Sequence, residues 1–178
     1  MSQIASYSAQ AMLKDGTLVE IRALRPSDEA DMLAAIERTG PSSLQSRFFV
    51  LKRHFSENER AFFMNVDFSN HVALAAWAEE QGLPTIVGGG RYVVTGPGEA
   101  EMAFIVVDTW QARGIGSLLL RHLIDIAREH GMRKLTAEVR SDNASMRRVF
   151  AKSDFKPARS DDPRTVRLAL DLASARHA

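Results

Sequence analysis

Two rhythms of apolar and polar positions run along the 178 residues. Thr17–Leu24 sets Leu18, Val19, Ile21 and Leu24 among charged residues, which predicts a first strand. Arg25-Pro26-Ser27-Asp28 then opens a helix, with Asp28, Glu29 and Asp31 near its positive end and Met32, Leu33 and Ile36 on its apolar face. Gly40-Pro41 breaks it. Two short helices are expected around Ser42–Val50 and Ser56–Val66, the second starting on a capping box of Ser56 and Glu59.

From Asn70 the period shortens. His71–Ala78, Thr85–Thr95 and Glu99–Val107 are rich in Val, Ile, Ala and aromatics, and two turn segments separate them. They predict a three-stranded antiparallel meander. Gly88-Gly89-Gly90 inside its middle strand points to a bulge or close backbone packing. Gly116–His130 then carries a broad helical face that ends at Gly131. Leu135–Val139 reads as a buried strand, Asn143–Lys152 as a helix and Val166–Leu172 as a last strand. A helix between the meander and Leu135–Val139 makes a βαβ unit, so part of the sheet is parallel. The class is α/β (α+β), a mixed sheet with helices on both faces.

Composition narrows the chemistry. There is no cysteine, which removes thiol nucleophiles, disulfides and Cys-based zinc sites and fits a cytoplasmic protein. Lys and Arg number 23 against 22 Asp and Glu, a net charge of +1 with no cationic cluster, so no nucleic-acid footprint is present. The longest nearly apolar runs, His71–Ala78 and Ile115–Leu120, fall short of the ~20 residues of a membrane span. Met1–Leu13 lacks the pattern of a secretory signal and reads as a loose leader to one domain over residues 14–174, with a tail at 175–178. His71, His122 and His130 show no metal-ligand spacing, so no metal is expected. His71 opens a strand, either lining a cleft or as a satisfied structural histidine. Phe48-Phe49 and Phe62-Phe63 read as core or cleft wall.

The sharpest local signal is Gln111-Ala112-Arg113-Gly114-Ile115-Gly116-Ser117, set between a strand and an amphipathic helix. Its glycines let the backbone approach a ligand, and the free N–H groups of a helix start form an anion site. Arg113 adds a positive charge and Ser117 a hydroxyl. A P-loop needs Lys after its second glycine, where this chain has Ser117. A Rossmann turn needs a third glycine, and position 119 is Leu. A glycine-containing helix start without a ligand is the plain alternative.

The segment is similar to the Gln/Arg-x-x-Gly-x-Gly/Ala motif of GNAT acetyltransferases, matching at Gln111, Gly114 and Gly116. Ser141–Phe155 resembles that family's second signature, Asn-x-x-(Ala/Ser)…Leu-Tyr-x-Lys-x-Gly-Phe. The resemblance spans most of Thr17–Leu172. It implies a mixed, mostly antiparallel sheet of about six or seven strands, acetyl-CoA as cosubstrate and an amine acceptor. Its diphosphate would lie on residues 111–117, and Phe104, Ile105, Val106 and Val107 would run beside the pantetheine arm. Asn143, Ser145 and Met146 would meet the CoA arm from the second signature, although Asn143 reads equally well as a helix cap.

Ser43–Phe49, Asp67–Leu74 and Ala100–Phe104 look like the acetyltransferase domain of bacterial Pat-type protein lysine acetyltransferases. Those enzymes usually carry a fused acyl-CoA-synthetase-like or cyclic-nucleotide-binding domain, and 178 residues leave no room for one. The likeness implies a general base at Glu101, with Glu99 as the nearby alternate; read without it, Glu101 is a solvent-facing strand carboxylate. It also implies an oxyanion donor in a backbone N–H around Val106 or Val107. Where many members have a tyrosine, this chain has Phe150, leaving Ser145 or water to protonate the departing sulfur. Asp154 replaces the motif's glycine. The acceptor is a protein lysine by preference, then a small amine or amino acid; a non-catalytic acyl-CoA-binding module is the competing reading. Monomer and homodimer both stay open.

Overall fold

In a computed structural model, residues 3–40 and 56–174 are described. The helix expected around Ser42–Val50, with Phe48-Phe49, lies outside them. Eight strands form one sheet: β1 (Ser8–Met12), β2 (Leu18–Ala23), β3 (His71–Glu80), β4 (Leu83–Gly96), β5 (Glu99–Val106), β6 (Lys134–Arg140), β7 (Lys156–Ala158) and β8 (Thr165–Asp171). Their spatial order is β1-β2-β3-β4-β5-β6-β8-β7. All neighbours are antiparallel except β5 and β6. The α-helices among the described residues are α1 (Glu29–Glu37), α2 (Glu57–Met64), α3 (Ile115–Glu129) and α4 (Ala144–Ala151).

Two of the eight strands lie outside the six read from residue patterns. β1 comes from the segment read as a loose leader; it pairs Ser8↔Arg22 through Met12↔Leu18, so that reading is corrected. None of its residues is buried, so it carries no apolar signal. β7 is three exposed residues on the far edge, one of them proline, which an edge strand tolerates.

The capping box of α2 forms as expected: Glu59 N–H donates to Ser56 Oγ at 3.2 Å, and Ser56 N–H to Glu59 Oε2 at 2.8 Å. Asp154 takes φ +64°, in the left-handed region that favours glycine; Asp is among the side chains that tolerate it. The departure in sequence therefore keeps the turn, with Phe155 N–H returning to Phe150 O at 3.2 Å.

The glycine triplet sets how closely the layers meet. A β-carbon on Gly88 would lie 2.8 Å from Ile115 Cγ2, and one on Gly90 2.7 Å from Phe104 Cε1, both on the α3 face. On Gly89 it would lie 3.1 Å from Met32 Cε, on the α1 face. Helices thus cover both sides, and the bare strand lets them approach. A bulge accompanies it, because the β3 register slips between Ala76 and Trp77. Gly90→Ala is expected to lower unfolding free energy by about 1–3 kcal/mol, the usual cost of overpacking. Urea titration reads this directly; an unchanged midpoint means the Phe104 ring moves aside freely.

Candidate active site

β5 hydrogen-bonds to β4 along its length, out to Gly88↔Val106, but to β6 only from Glu99↔Lys134 to Met102↔Ala137. Beyond that point β6 keeps only its β8 partner, out to Arg140↔Thr165. The sheet therefore opens into a wedge between β5 and β6. Alternation along an antiparallel strand decides which backbone groups face it. Val107 N–H donates to Val87 O at 3.0 Å, on the β4 side, which removes it as an oxyanion donor. Val106 is turned the other way: its carbonyl receives Gln111 Nε2 at 3.1 Å, so its amide is the remaining candidate.

The Gly-containing turn closes the wide end of this wedge. Ala112 and Gly114 have φ +60° and +98°, so the chain reverses hand on both sides of Arg113. Gly114 is the N-cap of α3, with no side-chain capping bond, and the first turn of α3 holds no acidic residue. A positive helix end with uncapped amides is a receptor for an anion. Gln111 Nε2 also donates to Asp108 Oδ1 at 3.1 Å, and that same oxygen accepts from Gly40 N–H at 2.9 Å. The turn is thereby tied to the end of β5 and to the segment following α1.

The two motif segments meet. A small cavity of about 40 Å³ is lined by Phe104, Val106, Gln111, Gly116, Asn143, Ser145, Met146 and Val149. Seven residues assigned to cofactor contact in the sequence thus surround one opening. Asn143 does cap α4, its Oδ1 accepting from Met146 N–H at 3.1 Å, and it also faces the opening. The Ile115 side chain lies elsewhere, buried against Gly88, which leaves that residue only its amide to offer. Ile105 and Val107 are likewise buried. Ala112, Gly114 and Ser117 are exposed at the turn, and Ser117 borders a larger groove of about 990 Å³ that runs past Arg121 and Lys152.

Glu101 is 3% exposed. It stands opposite Val93 on one side and Thr136 on the other, and Val93 stands opposite His71. Directly paired residues share a sheet face, so His71, Val93, Glu101 and Thr136 form a row across four strands, with Arg91 two positions along from Val93. This is the face away from α3. The row crosses β5 one residue before the wedge begins. The solvent-facing reading of Glu101 is therefore corrected. Glu99 differs, being half exposed and 3.6 Å from Lys134 Nζ.

His71 is held structurally. Its Nε2 lies 3.0 Å from Arg91 Nη1, which also donates to Phe63 O at 3.1 Å, and Phe62 stacks on the imidazole with centroids 5.1 Å apart. Arginine can only donate, so Nε2 accepts and the neutral ring carries its proton on Nδ1. Burial first, and then the Arg91 charge, push His71 down to about 4, only partly opposed by Asp67. Burial pulls Arg91 down to about 9, which leaves it cationic at neutral pH. Phe150 is 1% exposed, edge-on to Phe104 and Phe155 with centroids at 5.6 and 4.9 Å. It is core.

Among the described residues no group of three His, Asp or Glu side chains is placed to hold a metal ion, and no helix is long and apolar enough to cross a membrane.

Residues 33–155 match the model of the acetyltransferase (GNAT) family. The chain is 32% identical to acetyltransferase PA5475 of Pseudomonas aeruginosa over 162 residues, 89% of this chain and 87% of that one. It is 30% identical over 149 residues to acetyltransferase Pat of Mycolicibacterium smegmatis, covering 78% of this chain but only 41% of Pat. The crystal structure of the GNAT domain of S. lividans PAT superposes with a TM-score of 0.82 at 33% identity, covering 93% of this chain and 97% of that domain.

Proposed function

The chain belongs to the acetyltransferase (GNAT) family, and from that membership we propose that it transfers acetyl from acetyl-CoA directly to a primary amine, by preference a protein lysine. One observation carries the reading. Both cofactor segments line a single opening at the wedge, and a buried carboxylate sits one residue from where the strands part.

The residues divide the work. Amides at the start of α3 receive the diphosphate, as the uncapped Gly114 end favours. Acetyl-CoA supplies an activated acyl group as a thioester. Glu101 accepts the proton from the acceptor ammonium, since a lysine with pKa ~10.4 is less than about 0.1% neutral at pH 7. The amine nitrogen then bonds to the acyl carbon while the Val106 amide faces the developing oxyanion, and as the tetrahedral intermediate collapses the nitrogen gives its surplus proton to water. The C–S bond breaks and the electron pair leaves on sulfur.

With Phe150 buried in the aromatic core, no phenol is available to that sulfur. A thiol pKa near ~8.5 makes the thiolate a tolerable leaving group, and water or Ser145 at the opening returns its proton. The lysine preference follows the likeness to Pat-type enzymes, through residues such as Ala100–Phe104. The missing phenol also favours a second reading, a module that binds acetyl-CoA without turnover.

Thiol release with acetyl-CoA and a panel of proteins, amino acids and small amines separates the two. The expected result is release that depends on the acceptor, with an added acetyl mass on lysine-containing proteins. Binding of acetyl-CoA with no release over any acceptor would leave the non-catalytic module standing.

A further inference from the structure

We propose that Asp15, at the tip of the β1–β2 hairpin, is a positioning residue for the cofactor turn, holding the Arg113 guanidinium so that the backbone of 112–117 keeps its diphosphate-receiving shape. The proposal rests on the reading that acetyl-CoA binds at this turn.

Arg113 Nε and Nη2 both donate to Asp15 Oδ2, at 3.0 and 2.7 Å, and Nη2 donates also to Thr17 Oγ1 at 3.0 Å. The guanidinium lies over Trp110, its Cζ 3.9 Å from the ring centroid. Trp110 is itself fixed, donating from Nε1 to Glu80, whose carboxylate takes Arg38 at 2.9 Å. The side chain is thus committed to the N-terminal hairpin and the indole. Arg113 stands between the two positive-φ residues of the turn, so pinning it fixes the chain on both sides.

Asp15 is prepared for this task. Its other oxygen, Oδ1, accepts from Thr17 N–H at 2.9 Å, which orients the carboxylate. The hydroxyl and amide of Thr17, and then Arg113, hold its carboxyl down at about 2, so it stays ionised at any working pH. An isolated exposed ion pair contributes little. This one differs because a planar fork, a hydroxyl and an aromatic face converge on a single guanidinium.

The opposite arrangement has Arg113 grip the diphosphate itself, with Asp15 as its competitor. The two differ in sign. Asp15→Asn keeps an acceptor for Thr17 N–H and removes the charge; calorimetric titration with acetyl-CoA of the native chain, D15N, R113A and the double variant decides. Expected is a Kd raised about three- to tenfold by D15N and by R113A, with the double variant no weaker than R113A alone, and for D15N a melting point nearly unmoved and kcat unchanged at saturating acetyl-CoA. Tighter binding by D15N, or a hundredfold loss in R113A beside none in D15N, makes Arg113 the phosphate contact and overturns the proposal. Native binding that all three variants retain in full overturns it alone. A native chain that does not bind acetyl-CoA takes down the underlying reading with it.

Discussion

Glu101→Gln is expected to lower kcat by about 10²–10³-fold near neutral pH while leaving the Kd for acetyl-CoA within about threefold. The substitution preserves volume at a site that is 3% exposed, so packing is kept while the negative charge and its proton acceptance are lost. Without a base, the reaction waits for the rare acceptor already deprotonated in solution. The variant's rate therefore climbs tenfold per pH unit toward the acceptor pKa of ~10.4, and the native profile flattens far earlier. Stopped-flow thiol release across pH, with a melting curve to confirm folding, reads both. A variant as fast as the native chain at pH 7 would falsify the base assignment.

Gly114→Val is expected to raise KM for acetyl-CoA about five- to thirtyfold and to leave kcat at saturation close to native. Gly114 sits at φ +98° and ψ 2°, where a β-branched residue is strained by at least about 1–2 kcal/mol. A β-carbon there would meet nothing within 4 Å, so crowding plays no part. The turn relaxes toward negative φ and swings its amides away. Binding must then restore the strain, and every 1.4 kcal/mol is tenfold in affinity. Gly82→Val is the control. Gly82 has φ +79° and equally open surroundings, so the change strains the fold comparably at the β3–β4 turn. Equal KM effects at the two positions would mean that the Gly114 result reports general destabilisation.

Much of the fold is legible because burial imposes a period. The six strands with apolar positions, the α3 face and the Ser56 capping box follow from residue order alone. β1 escapes because no residue of Ser8–Met12 is fully buried, and β7 because it is a short exposed edge containing Pro157. The glycine-bearing turn before α3 is visible through glycine spacing, but the left-handed Ala112 is not, since alanine gives no warning of positive φ. Neither does the chain announce that Glu101 is buried; its alternation suits an exposed carboxylate equally well until β4 and β6 cover both flanks. Asp15 had no signal of any kind. Its partner lies 98 positions later, and only the closed sheet brings the two together.

The four-pair parallel ladder between β5 and β6 also bears on how the chain folds. β3–β4 and β4–β5 are joined by tight turns and can zip up from local contacts, whereas the β5–β6 seam requires all of α3 to be traversed first. Loop closure of that kind is slow, and here few backbone bonds reward it. During synthesis the meander is therefore able to form ahead of the seam, and the completed wedge waits for the last strands to emerge.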